Sequence, residues 1–142
     1  MKQSLERFVL AQASQFEAAL NELERGKKDG HWMWFIFPQL RGLGSSEKAT
    51  YYGLQDAAEA RDYLQHPLLG PRLARATRAV LDAAVPLEEL LGEVDALKFA
   101  SCMTLFAAVT DAGSLFAQAR DGLSGVDEKT RMILNQQENG HD

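Results

Sequence analysis

From residue 4 to about 25, Leu5, Phe8, Val9, Phe16, Leu20 and Leu23 recur at three- and four-residue steps, with Glu6, Arg7, Gln12, Gln15 and Glu22 between them. That spacing predicts one amphipathic helix. Two glycines and three charges in GKKDG, residues 26–30, end it and turn the chain. Residues 68–84 place Leu69, Leu73, Ala76, Val80 and Ala84 on one face and Arg72, Arg75, Arg78 and Asp82 on others, which reads as a second helix. Asp56 with Glu59 is a capping arrangement for a short helix reaching residue 63 or 64, and His66-Pro67 starts the next helix at its first turn. Pro86 opens a short helix over residues 88–91, and Asp95 suits the N-cap of a nearly all-apolar helix from 96 to about 110. Helices over 114–120 and 127–136 follow, with residues 137–142 as a polar tail expected to fray. The one strand candidate is residues 34–37. The expected fold class is all-α (mainly α): a multi-helical domain of at least five helices, with at most one very short strand.

The 142 residues, 46% of them apolar and 25% charged, fit a single globular domain spanning 1–142 and exclude a disordered or collagen-like chain. Fifteen Lys and Arg are spread among twenty acids for a net charge of −5, which argues against a duplex nucleic acid partner. No run is long and apolar enough for a membrane span, and the start MKQSLERFVLAQASQ lacks the pattern of a secretory leader, so the expected location is cytoplasmic. Cys102, the sole cysteine, can make neither an internal disulfide nor a cysteine-based zinc site. No metal and no cofactor are implied.

Two segments carry candidate chemistry. On the helix from 96 to 110, Lys98, Ser101 and Thr104 interrupt an apolar surface at steps of three. Two readings fit. A mostly buried helix presents an ammonium and two hydroxyls to a pocket for a phosphate or carboxylate, or the stripe is the wet side and its hydroxyls bond backbone carbonyls. The segment His31-Trp-Met-Trp-Phe-Ile-Phe-Pro-Gln39 holds both tryptophans, and it either offers ring faces for stacking, with His31 and Gln39 beside Trp32 and Trp34, or forms the densest part of the core. Trp32 and Trp34 are expected to differ in burial. Between these segments, residues 41–50 (RGLGSSEKAT, including Ser45) read as a loop of the kind that carries function. Hydrolase, phosphate-loop, zinc-protease and dinucleotide templates find no match, which leaves catalysis an open question. Cys102, one turn after Lys98, reads as a buried, inert thiol, and Asp127 with Thr130 as a cap and its helix.

The chain resembles a family of small bacterial proteins known as domain of unknown function 1810, often labelled calpastatin. The resemblance runs through LERFVLAQ (5–12), HWMWFIFPQLRGLG (31–44), ARDYLQHPLLGPRL (60–73), LKFASCMTLFAAV (97–109) and GVDEKT (125–130). It implies a mostly helical single domain and no established activity. Phe99-Ala100-Ser101-Cys102 departs from the pair of serines expected there, which weakens a nucleophilic role for the thiol. The calpastatin label has no support, because such inhibitors are long disordered repeats.

The leading expectation is a pocket between residues 31–39 and the 97–110 helix, closed by the 41–50 loop and lined by His31, Trp32, Trp34, Gln39, Ser45, Lys98, Ser101 and Thr104. It suits an anionic ligand with a flat ring, of nucleotide or ADP-ribose type. The alternative is a non-catalytic protein-interaction or regulatory module.

Overall fold

Between Val9 and Phe16 the apolar pattern slips, and there the chain breaks. In the computed structural model, which describes residues 4–139, the expected first helix is two, α1 (Glu6–Ala13) and α2 (Phe16–Arg25). Two side chains that the pattern assigns to water lie inside. Gln12 is buried, its Nε2 donating to the Phe35 carbonyl at 2.7 Å and to the Tyr63 hydroxyl at 3.0 Å. Arg7 is buried too and bonded to backbone across the domain. At its other end α2 closes on Gly26, whose left-handed φ of +87° lets its N–H return to Glu22 and Leu23, a conformation that strains other residues.

After these come α3 (Met33–Ile36), α4 (Glu47–Tyr52), α5 (Ala57–Gln65), α6 (Leu69–Asp82), α7 (Leu87–Leu91), α8 (Glu93–Ala108), α9 (Leu115–Ala119), a π-helical turn (Arg120–Ser124) and α10 (Glu128–Asn139). No strand occurs among the described residues. The strand candidate at 34–37 is instead mostly the single turn α3, and the sole β feature there is an isolated parallel bridge between Leu40 and Leu54. Two helix starts carry the expected caps, Asp56 accepting from the Glu59 N–H and Asp127 from Thr130, and Ser114 caps a third by accepting from Ala117. His66 ends α5 and turns its Nδ1 toward the N–H groups of Leu68 and Leu69, at the head of α6. Residues 137–139, read as tail, continue α10, where the Gln137 amide donates to the Gln55 carbonyl at 2.7 Å.

The largely apolar helix α8 runs through the centre, flanked by α5, α7, α9, α10 and the π turn. Its residues Phe99, Cys102, Met103, Leu105 and Phe106 are fully buried, and burial pushes the Cys102 thiol well up, out of thiolate range. The helix begins earlier than expected, at Glu93 after Gly92. Asp95 is therefore no N-cap: it lies inside the first turn, and its carboxylate is used by lysines.

Opposite α8 the chain makes a closed loop. Arg41 donates its N–H to the Leu54 carbonyl at 2.8 Å and Leu54 returns one to Gln39 at 2.9 Å, so residues 41–53 leave and re-enter the fold at one point. Gly53 is needed at this neck, because a Cβ there would sit 2.7 Å from the Arg41 backbone. Arg7 locks it from inside, donating to the carbonyls of Tyr51 (2.8 Å) and Gly53 (3.2 Å) and lying 3.6 Å from the buried Glu59 carboxylate. The loop carries α4, capped by the Ser46 hydroxyl on Ala49 N–H, and none of the α4 residues is buried. No described helix is long and apolar enough to cross a membrane.

Candidate functional site

The two tryptophans separate. Trp32 is 1% exposed, and its indole N–H donates to Glu22 at 2.9 Å. The same Glu22 oxygen accepts from the N–H groups of Asp29 and Gly30, which orders the 26–30 turn. Burial alone would push the Glu22 carboxyl up, but these donors outweigh it and hold it below the usual carboxylate range. Trp34, two residues on and half-buried, turns instead into a cleft of about 640 Å³.

Three parts of the chain meet there. α8 contributes Val94, Leu97, Lys98 and Ser101; the closed loop contributes Leu43, Gly44, Ser45, Ser46, Ala49, Tyr52 and Gly53; Gln39, Leu40, Asp127 and Lys129 complete the lining beside Trp34. The loop places its residues because its neck is pinned, and α8 places its own because the rest of that helix is locked in the core.

The charge arrangement is ordered around the indoles. Lys98 Nζ lies 4.8 Å from the centroid of the Trp34 ring, and Lys48 Nζ, reaching over from α4, lies 4.9 Å from the same centroid. Asp95 supports Lys98 at 3.7 Å with one oxygen and holds Lys28 at 2.9 Å with the other. Lys28 in turn lies 5.0 Å over the Trp32 ring and donates to the Gly30 carbonyl. One carboxylate thus sits between two lysines, each facing one tryptophan, and the partly exposed Lys98–Trp34 contact adds roughly 0.5–1 kcal/mol. Lys48 makes no ion pair among the described residues.

The cleft therefore gathers Trp34, Gln39, Ser45, Lys98 and Ser101. His31 is exposed and outside it, Trp32 belongs to the core, and Thr104 faces a different depression, between α5 and α10. The Thr104 hydroxyl is fully engaged, donating to the Ala100 carbonyl at 2.8 Å and accepting the Asp127 N–H at 2.9 Å, which fixes the start of α10 beside the cleft. Ser101 bonds the Leu97 carbonyl at 3.2 Å. The polar stripe of α8 thus divides: Lys98 and Ser101 border the cleft while Thr104 is a structural pin. Lys48, Tyr52 and Lys129 were not legible as site residues. A lysine within a Gly/Ser loop was the available signal for Lys48; Lys129 and Tyr52 offered none. Among the described residues no three His, Cys, Asp or Glu side chains cluster in a way that would hold a metal ion.

A family model for a protein of unknown function (DUF1810) matches residues 2–134. The crystal structure of the conserved hypothetical protein Rv1873 from Mycobacterium tuberculosis superposes with a TM-score of 0.89 at 48% identity, over 92% of this chain and 96% of that one. No curated protein matches the sequence.

Proposed function

The chain belongs to the family of proteins of unknown function DUF1810, and on that premise we propose that it binds a small anionic ligand with a flat ring, of nucleotide type, in the cleft between α8 and the 41–53 loop. The observation that carries this reading is Trp34, a large ring turned toward a cleft with two ammonium groups poised over it. Magnitudes allow exchange of partners on that ring. A base stacked on an aromatic side chain is worth about 1–3 kcal/mol, against roughly 0.5–1 kcal/mol for each exposed cation–π contact it would displace. The freed lysines then meet the ligand's negative charge. Gln39, whose side-chain amide has no partner among the described residues, and the Ser45 hydroxyl supply polar contacts for orientation.

The test is a thermal-shift and tryptophan-fluorescence titration with adenine and guanine nucleotides. Binding should raise the melting temperature of the native protein. It should be lost in Trp34→Ala and weakened at least tenfold in Lys98→Met, with the unliganded melting temperature of Lys98→Met close to that of the native protein. Unchanged affinity in Lys98→Met, or no response to any nucleotide, would refute the reading.

A second reading, a protein-interaction module, has one observation in its favour: Val94 and Leu97, at the rim of the cleft, are 66% and 69% exposed. Leu97→Gln separates the two, since it removes the apolar side chain without adding negative charge to the cleft: docking of a protein there should weaken at least tenfold and nucleotide affinity should stay within about threefold.

A further inference from the structure

The charge placed around Trp34 says more about the ligand than that it is anionic, and this step rests on the nucleotide reading above. In a chain of net charge −5, the side chains at this cleft reverse the sign. Lys98 and Lys129 line it and Lys48 reaches its tryptophan, whereas among the described residues Asp127 is the only acidic one in the lining. Asp95, below Lys98, is already matched by Lys28 at 2.9 Å. One Asp127 oxygen is engaged at the head of α10 by the Thr130 N–H and hydroxyl. An excess of positive charge therefore faces the ligand, more than one carboxylate would neutralise.

Geometry adds a length. Both ammonium groups stand over one indole, at 4.8 and 4.9 Å from its centroid, so their separation cannot exceed the sum of those distances. They approach from different elements, Lys98 from the buried α8 and Lys48 from the exposed α4. A ring that stacks on Trp34 displaces the ammonium on that face, and both ammonium groups stay within reach of the ligand's negative charge. With the two lysines rooted on different elements, a chain of two phosphates offers each ammonium an anionic group of its own.

We propose that the cleft is specific for a diphosphate-bearing ligand, of the nucleoside diphosphate class, with Lys98 holding one phosphate and Lys48 the other. Lys98, backed by Asp95 and Lys28, is the fixed half of this clamp. Lys48, which makes no ion pair among the described residues and rides on the closed loop, is the half that moves onto the ligand and reads its second phosphate.

The experiment measures the dissociation constants of ADP, AMP, adenosine and inorganic diphosphate for the full chain at one ionic strength, in the native protein and in Lys48→Met and Lys48→Arg. ADP should bind at least tenfold more tightly than AMP. In Lys48→Met that advantage should fall below threefold while adenosine binds as tightly as in the native protein or up to about fivefold more tightly, because no Lys48 cation–π contact is given up, and Lys48→Arg should restore most of the ADP advantage. Equal affinity for ADP and AMP, or an ADP advantage that survives Lys48→Met, overturns the diphosphate clamp and leaves nucleotide binding standing. If no nucleoside or nucleotide binds, the nucleotide reading itself falls, and inorganic diphosphate decides the clamp alone: saturable binding weakened tenfold in both Lys48→Met and Lys98→Met upholds it, and absence of such binding overturns it.

Discussion

The two walls of the cleft are built on opposite principles. The α8 wall is held by burial: five of its residues, from Phe99 to Phe106, are fully enclosed, and Phe99 and Phe106 make edge or tilted contacts with Phe37, Tyr63 and Phe116. The loop wall has little burial of its own, since α4 contains no fully buried residue; it is held by Tyr52 against Phe8 and Phe35, and at its neck by backbone hydrogen bonds and the Arg7 guanidinium. The free energy needed to displace each wall should differ accordingly. Residues on α8 open only with the whole domain, whereas the loop opens locally at a fraction of that cost. Lys98 and Lys48 inherit this difference, one fixed and one adjustable.

The strongest way to break the contrast is Phe106→Ala. Loss of a buried ring and the cavity left behind should cost about 3–5 kcal/mol of global stability, read as a lower urea midpoint with an unchanged slope. Next is Arg7→Met, which leaves Glu59 buried without its cation. Breaking such a pair costs about 3–5 kcal/mol, and the Gln55 N–H still bonded to Glu59 at 2.8 Å places this case near the lower bound. Here hydrogen exchange of the 41–54 amides should accelerate well beyond what the global change explains. The smallest effect is expected for Ser46→Ala, where loss of the α4 cap is worth about 1 kcal/mol. It should be visible as faster exchange of the α4 amides alone. Should Ser46→Ala lower the urea midpoint as Phe106→Ala does, the loop is part of the cooperative core and the distinction between the walls disappears.

The sequence shows some of this and hides the rest, for reasons that particular residues make plain. The α6 stripe, the caps at Asp56, Ser114 and Asp127 and the start at Pro86 depend on neighbours within a few positions, and they are legible in the chain. Arg7 and Gln12 look like surface residues of α1 because their partners lie 23 to 51 positions away, at Phe35, Tyr51, Gly53 and Tyr63. Asp95 has the residue type and position of a cap, yet two lysines compete for it and the helix starts before it. At the site, the spacing of Lys98 and Ser101 marks one wall. What no pattern of apolar and polar positions can express is which tryptophan of a continuous apolar run turns outward. Glu22, ten positions upstream, fixes Trp32 through its indole N–H, and that contact exists only after the chain has folded back.

The bridge between Leu40 and Leu54 has a consequence for how members of such a family can diverge. Because the chain departs and returns at a single pinned point, the core does not sense how many residues lie beyond it. Doubling the length of a flexible loop costs only about 0.6 kcal/mol in closure entropy. Insertions between Arg41 and Gly53 can therefore deepen, narrow or roof the cleft while α8 and its lysine stay where they are, and the segment is the natural place to graft new residues when redesigning what the cleft admits.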